Sequence, residues 1–151
     1  INFFALSDQQ RLVDLPGYGY ARVSRDLKDQ WQRYLSEYLQ ERQSLRGLVL
    51  LMDIRHPLQE FDTTMLHWAS RARMPVHILL TKADKLSRGG AGKSLQAVRK
   101  QIKEMGLSQE VSLQCFSALN RTGVEELEQL LNQWLSLEPA GEPAQGETAG
   151  Q

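Results

Sequence analysis

Cysteine is nearly missing from this chain: Cys115 is the single thiol in 151 residues. One thiol cannot cross-link a fold, which excludes a disulfide scaffold and points to a reducing compartment. Long apolar runs are missing as well. Leu48 to Met52 is the longest, far short of the ~20 residues a membrane-spanning helix needs. No signal-peptide pattern opens the chain, and no internal repeat runs through it. Net charge is also lacking, with 18 basic residues against 18 acidic. At face value that balance argues against a nucleic-acid partner. What remains is ordinary for a folded domain: 41% apolar and 24% charged residues, in a length that suits one domain and not two.

The zero net charge conceals a strong asymmetry. Between Ser70 and Lys103 stand nine basic residues and a single acid, Asp84, a net charge of +8. Residues 1–69 carry −1, residues 104–137 carry −4 and residues 138–151 carry −3. The last stretch is Glu, Pro, Ala, Gly, Gln and Thr without a large apolar side chain. Such a composition buries too little surface to offset its ordering entropy, so a disordered acidic tail is expected over 138–151. The basic segment reads either as a solvated face or as a patch for an anionic partner such as RNA.

Hydrophobic spacing predicts the elements. Ile1–Leu6 and Arg11–Leu15 read as an antiparallel hairpin across a Ser7–Gln10 turn. Ser24 suits the N-cap of a helix running to about Gln43, with Leu27, Trp31, Tyr34, Leu35, Tyr38 and Leu39 on its apolar face. Leu48–Met52 reads as a buried strand ending at Asp53, and Gln59–Arg73 as a helix with Phe61, Met65, Leu66 and Trp68 inward. Val76–Leu80 is a second buried strand. A Gly-rich connector at Arg88–Gly92 then leads to a basic helix over Ser94–Met105. Val111–Phe116 is the next strand. Thr122 and Glu125 form a capping-box pattern that opens a helix over Gly123–Leu135, with Leu127, Leu130, Leu131 and Trp134 inward. Alternating strands and helices predict an α/β fold: a mostly parallel sheet with an antiparallel edge hairpin and helices on both faces. Ligands of such sheets bind beyond the carboxyl ends of the strands.

Three strand-end loops carry chemistry. Asp14-Leu15-Pro16-Gly17 has the D-x-x-G spacing of phosphate-sensing switches: the carboxylate suits a magnesium ion held through water, and the glycine N–H can approach a γ-phosphate. Thr81-Lys82-Ala83-Asp84 has the [NT]-K-x-D spacing of guanine readers. An Asp carboxylate accepts from both N1–H and the exocyclic amine of guanine, a donor pair that adenine lacks, while the lysine stem lies over the base. Ser117-Ala118-Leu119 matches a loop whose backbone N–H reaches guanine O6. All three follow predicted strands, in order, about 67 and 33 residues apart. Gly90-Ala91-Gly92-Lys93-Ser94 mimics the end of a phosphate loop, but Ser87 stands where the first glycine of G-x-x-x-x-G-K-[ST] is required. His56 and His67 read as turn and helix-surface residues, His77 as a satisfied buried histidine, Cys115 as a small core hydrophobe, and Trp31, Trp68 and Trp134 as helix-face core.

Leu12-Val13-Asp14-Leu15-Pro16-Gly17-Tyr18-Gly19-Tyr20-Ala21 resembles the switch-II segment of the EngB GTPase family. Val49–Pro57 and Leu79–Leu86 are similar to the same family. The resemblance covers nearly all of Ile1 to about Leu135 and implies one G domain over residues 1–137 with a P-loop GTPase fold. It implies GTP/GDP and Mg²⁺ as cofactors, a role in large ribosomal subunit assembly and a need in normal cell division and septation. Carried onto this chain, it places nucleotide at Asp14, Leu15, Pro16, Gly17, Tyr18, Thr81, Lys82, Ala83, Asp84, Phe116, Ser117 and Ala118, and magnesium at Asp14 through water. No catalytic residue is assigned. The expected partner is a large-subunit precursor, its rRNA and proteins met by segment 70–103; a cytoplasmic monomer off the membrane is expected.

The family's phosphate loop and switch-I threonine precede the segment matching Ile1 and are not in this sequence. A chain lacking ~50 upstream residues is therefore expected, with weak or no GTP binding on its own and unpaired strand edges beside Arg11–Leu15 and Leu48–Met52. Tyr18 stands where many GTPases orient water with glutamine, so slow hydrolysis is expected in the complete protein, accelerated by a partner such as the ribosome or by a monovalent cation. The alternative is a non-catalytic RNA- or protein-binding module on a GTPase-like fold.

Overall fold

The computed structural model describes residues 2–5, 10–14, 26, 29–30, 33–34, 37, 45–107 and 109–135. The chain divides into two compact units, Ile1–Leu45 and Arg46–Gln151. In the first, strands β1 (Asn2–Ala5) and β2 (Arg11–Asp14) pair antiparallel, with Phe3 opposite Val13 and Asn2 opposite Asp14. This is the predicted hairpin. The expected turn residues Ser7–Gln9, the Ser24 cap and Trp31 lie outside the described residues, as does the tail at 138–151. Asp26, Asp29, Gln30, Arg33, Tyr34 and Glu37 are helical, within the predicted helix. Tyr34, however, is 54% exposed instead of buried. At about 100° per residue it stands at the boundary between the exposed polar face and the apolar stripe.

The second unit is a three-stranded parallel sheet in the order β3 (Leu48–Asp53), β4 (Val76–Thr81), β5 (Val111–Cys115). Helix α1 (Glu60–Arg71) joins β3 to β4, α2 (Arg88–Glu104) joins β4 to β5, and α3 (Val124–Trp134) follows. Register places Leu50, Ile78 and Leu113 side by side on one face, as it does Met52, Leu80 and Cys115. Parallel strands with near-continuous apolar sequence need cover on both faces. On this first face Cys115 Sγ meets the Ala91 carbonyl of α2 at 3.9 Å, and the Leu58 N–H at the entry to α1 donates to Met52 Sδ at 3.5 Å. Ile78, Leu80 and Leu66 are fully buried. The opposite face carries His77, whose ring meets Trp134 of α3 edge-on at 6.5 Å between centroids. Helices thus lie on both faces of this sheet, as predicted.

Among the described residues β3 pairs with β4 alone. Leu51, read from sequence as part of a buried strand, is 61% exposed. It lies on the same face as His77, on a strand that has a partner on one side only among the described residues. Leu127, Leu130, Leu131 and Trp134 are only half-buried. Trp68 is buried as expected, and His56 and His67 are exposed.

Two helix starts differ from the sequence reading. The Arg88–Gly92 stretch is not a connector but the opening of α2: the Ser87 hydroxyl accepts the Gly90 N–H at 3.0 Å, and this N-cap outweighs the low helix propensity of the glycines. Thr122 does not cap α3. Its hydroxyl donates to Asn120 Oδ1 at 2.6 Å, and Gly123 takes the cap position at φ 82°. Sequence also overlooked a cap at α1, where Gln59 N–H donates to Asp62 Oδ2 at 2.9 Å.

His77 is buried and satisfied, as expected. Gln114 Nε2 donates to the carbonyls of Gly123 at 2.8 Å and Cys115 at 3.2 Å, which fixes the amide orientation. Gln114 Oε1 therefore accepts from His77 Nε2–H at 2.8 Å, and Nδ1 meets the Ser112 hydroxyl at 2.7 Å. Gln114→Met keeps the volume but strands three polar partners, and a loss of about 1–3 kcal/mol is expected, read as a lower urea midpoint with an unchanged slope.

Candidate functional site

The carboxyl ends of β4 and β5 meet in one clasp. Ala83 N–H donates to the Phe116 carbonyl at 3.1 Å, and Phe116 N–H donates to the Leu80 carbonyl at 2.8 Å. These bonds continue the ladder past the last strand residues and bring Thr81–Asp84 beside Phe116–Ala118. Thr81 fixes its own side by donating from its hydroxyl to the Met52 carbonyl at 3.1 Å. Lys82 turns the chain with φ 57°, a left-handed conformation unusual for a residue with a side chain. A short 3-10 turn, Ala83–Lys85, follows. Ala83 is buried under the turn and Asp84 is half-buried at its surface.

Ser117 organises the pair of loops. It is fully buried, and its hydroxyl donates to Asp84 Oδ1 at 2.6 Å. Its oxygen accepts the Asn120 N–H at 3.3 Å, and its own N–H donates to the Thr122 carbonyl at 3.0 Å. The serine hydrogen bond holds the Asp84 carboxyl below its usual range, aided by the nearby charges of Lys85 and Arg55. Asp84 is therefore an ionised acceptor at neutral pH. Each carboxylate oxygen has two acceptor directions, so the bond from Ser117 leaves room for a pair of N–H donors from outside. Ala118 is exposed immediately after Ser117. The sequence pattern brought in this serine only as a neighbour of the Ala118 N–H; its grip on Asp84 appears only in three dimensions.

Two contributors escaped the motif reading. Asp53 ends β3 in register with Thr81. It is gripped by Arg55, whose Nε donates to Oδ1 at 3.0 Å and Nη2 to Oδ2 at 2.8 Å, and by the Arg55 N–H at 2.9 Å. Asp53 Oδ2 lies 3.6 Å from Lys82 Nζ. The arginine fork drives the Asp53 carboxyl far below the usual range. An acid at the carboxyl end of the strand next to β4 was the available signal.

These carboxylates set a pH dependence. Asp53 and Asp84 have lowered folded-state pKa values, so their contribution is present above the unfolded value of 3.8 and is lost as pH falls below it. Asp62 runs the other way: burial raises its pKa, and the fold gains stability as that acid takes up its proton between the raised value and 3.8. Urea midpoints are expected to rise slightly on mild acidification and then fall below about pH 3.8. In Asp62→Asn the rise should vanish while the fall persists.

Of the first predicted loop, Asp14 closes β2 opposite Asn2, while Leu15, Pro16, Gly17 and Tyr18 lie outside the described residues. No three His, Cys, Asp or Glu side chains converge on a metal-sized site among the described residues. Magnesium has Asp14 as its sequence candidate, with no further ligand set among the described residues.

No family model matches the chain. Over 128 residues it is 62% identical to a protein of Acinetobacter baylyi described as "Probable GTP-binding protein EngB", a match that covers 84% of this chain and 53% of that protein. The chain thus spans about half the length of this curated relative. Among solved structures it resembles the translation elongation factor SelB of Methanococcus maripaludis in its apo form, with a TM-score of 0.61 at 19% identity over 91% of this chain and 27% of the other. SelB bound to the GTP analogue GppNHp matches with a TM-score of 0.50 at 19% identity, over 67% of this chain and 22% of that one. At such identity the likeness concerns the fold.

Proposed function

The chain belongs to the EngB family of GTP-binding proteins and has a fold of the P-loop GTPase type, and from that premise we propose that it supplies the guanine-reading part of a GTP-dependent switch assisting large ribosomal subunit assembly. The observation that carries the reading is the clasp of β4 and β5. It holds an ionised Asp84 against buried Ser117, with Lys82 on one side and Ala118 on the other.

In this reading Asp84 accepts from N1–H and the exocyclic amine of guanine. Ser117 aims the carboxylate and keeps it charged. Ala118 offers its N–H to O6, and the Lys82 stem covers the base while Asp53 steadies its ammonium. Asp14 is the residue that would hold magnesium, which would offset phosphate charge, and Gly17 would sense the terminal phosphate. Bound GTP supplies the phosphoanhydride whose hydrolysis resets the switch, and Tyr18 in place of a water-orienting glutamine keeps that step slow until a partner accelerates it. The need in cell division and septation and a cytoplasmic location belong to the same proposal.

Titration of fluorescent GDP and ADP against the natural polypeptide that carries this sequence, with and without magnesium, tests it. Micromolar binding selective for GDP is expected. Equal affinity for ADP, or RNA affinity without nucleotide binding, would overturn it.

A further inference from the structure

We propose that the exposed face of α2 is a docking surface for an RNA phosphate backbone. The helix buries one side through Val98 and Ile102. The other side carries Arg88, Lys93, Arg99, Lys100 and Lys103, all exposed and none of them in an ion pair among the described residues. At about 100° and 1.5 Å per residue these five cations fall within an arc of roughly 140° and span roughly 22 Å along the axis. They form two rows. Arg88, Arg99 and Lys103 line one flank of the arc; Lys93 and Lys100 line the other.

Gly89 and Gly92 stand between Arg88 and Lys93 in the first turns of the helix, and Gln96 stands between the two rows further along. A Cβ added at Gly89 or Gly92 would meet nothing within 4 Å among the described residues, so no packing against them demands a glycine there. Both have helical backbone without positive φ, so no turn demands one either. Glycine inside a helix weakens it relative to alanine. What two such glycines provide is a shallow trough that lets another molecule's backbone come close to the helix, flanked on both sides by long cations. A ridge of phosphates has the matching charge and shape, and its contacts need no base reading. A membrane surface is the poorer match, because the arc has no large apolar side chain to insert. The choice of RNA over DNA rests on the assembly reading above; the face itself does not.

The test is fluorescence anisotropy of a labelled RNA duplex of about 20 base pairs with the full 151-residue chain. Four or five neutralised phosphates predict an affinity that falls at least a hundredfold between 50 and 200 mM salt. The variant Lys93→Gln/Arg99→Gln/Lys100→Gln, its helix content checked by circular dichroism, is expected to lose tenfold or more and to flatten the salt slope by about three. Arg71→Gln, in the same basic segment but on α1, should bind as wild type. Gly89→Ala/Gly92→Ala should melt at a higher temperature yet bind RNA at least fivefold more weakly, a combination that simple charge attraction does not produce. Wild-type affinity in the triple variant would overturn the surface. Wild-type affinity in the alanine pair would overturn the trough. Equal affinity for polyglutamate would overturn a phosphate backbone as the occupant. Absence of GDP binding by the natural polypeptide that carries this sequence would instead strike the nucleotide reading and leave the RNA result intact.

Discussion

Asp84→Asn is expected to turn a guanine site into a xanthine site. The carboxylate, fixed by Ser117 at 2.6 Å, can only accept, and guanine presents two parallel N–H donors to it. Asparagine keeps one acceptor oxygen but places an NH₂ where the second acceptor stood. That amine faces the exocyclic amine of guanine, donor against donor. Xanthine carries a carbonyl at that position and keeps N1–H, so the same amide matches it with both groups. A site built on a hydrogen-bonded match rejects the mismatched ligand strongly; here a loss of roughly 10²–10³-fold for GDP is expected, with xanthosine diphosphate regaining most of it. Ser117→Ala should weaken GDP without gaining xanthosine diphosphate, because it frees the carboxylate without changing its chemistry. Measured by competition with fluorescent GDP, a variant that loses GDP but rejects the xanthine nucleotide would place the base elsewhere.

Much of this site was legible because parallel strands bring their carboxyl ends to one edge. Once Val76–Leu80 and Val111–Phe116 are read as consecutive strands, Thr81–Asp84 and Phe116–Ala118 must emerge side by side, and the clasp between Ala83 and Phe116 follows. Alternation and apolar runs likewise give the β1–β2 hairpin and the strands β3, β4 and β5 of a parallel sheet. Other features depend on partners distant in sequence. Leu51 has the apolar character of a buried residue, yet it is 61% exposed on β3, which pairs with β4 alone among the described residues. Asp53 carries no motif of its own; the parallel register that sets it beside Thr81 gives it a role near Lys82. The start of α2 and the cap of α3 were misread for a local reason. Whether the helix opens after Ser87 or at Ser94, and whether Thr122 or Gly123 takes the cap, is decided by backbone geometry that spacing alone does not encode.

Gly123→Ala is expected to be among the most destabilising single substitutions in the second unit, and the damage should extend to the base-reading loop. Gly123 has φ 82°, where a side chain is strained by roughly 1–2 kcal/mol. A Cβ there would also run into the Cys115 carbonyl oxygen and Gln114 Nε2. Neither can yield freely. The carbonyl belongs to β5, and the amide is held by the carbonyls of Gly123 and Cys115 while its oxygen holds His77. The change therefore adds strain and breaks a buried polar chain together, and a loss of about 3–5 kcal/mol is expected. The preceding carbonyl, on Thr122, accepts the N–H of Ser117, whose hydroxyl fixes Asp84. Displacing the start of α3 should then loosen the carboxylate. Hydrogen exchange at the Ser117 amide offers a direct readout: in Gly123→Ala it should accelerate beyond what the global loss of stability accounts for, whereas Gly106→Ala, at φ 63° with open space around its Cβ, should cost only the backbone strain and leave Ser117 protected in proportion to global stability. Equal protection of Ser117 in the two variants, after correction for their stabilities, would separate the α3 cap from the candidate site.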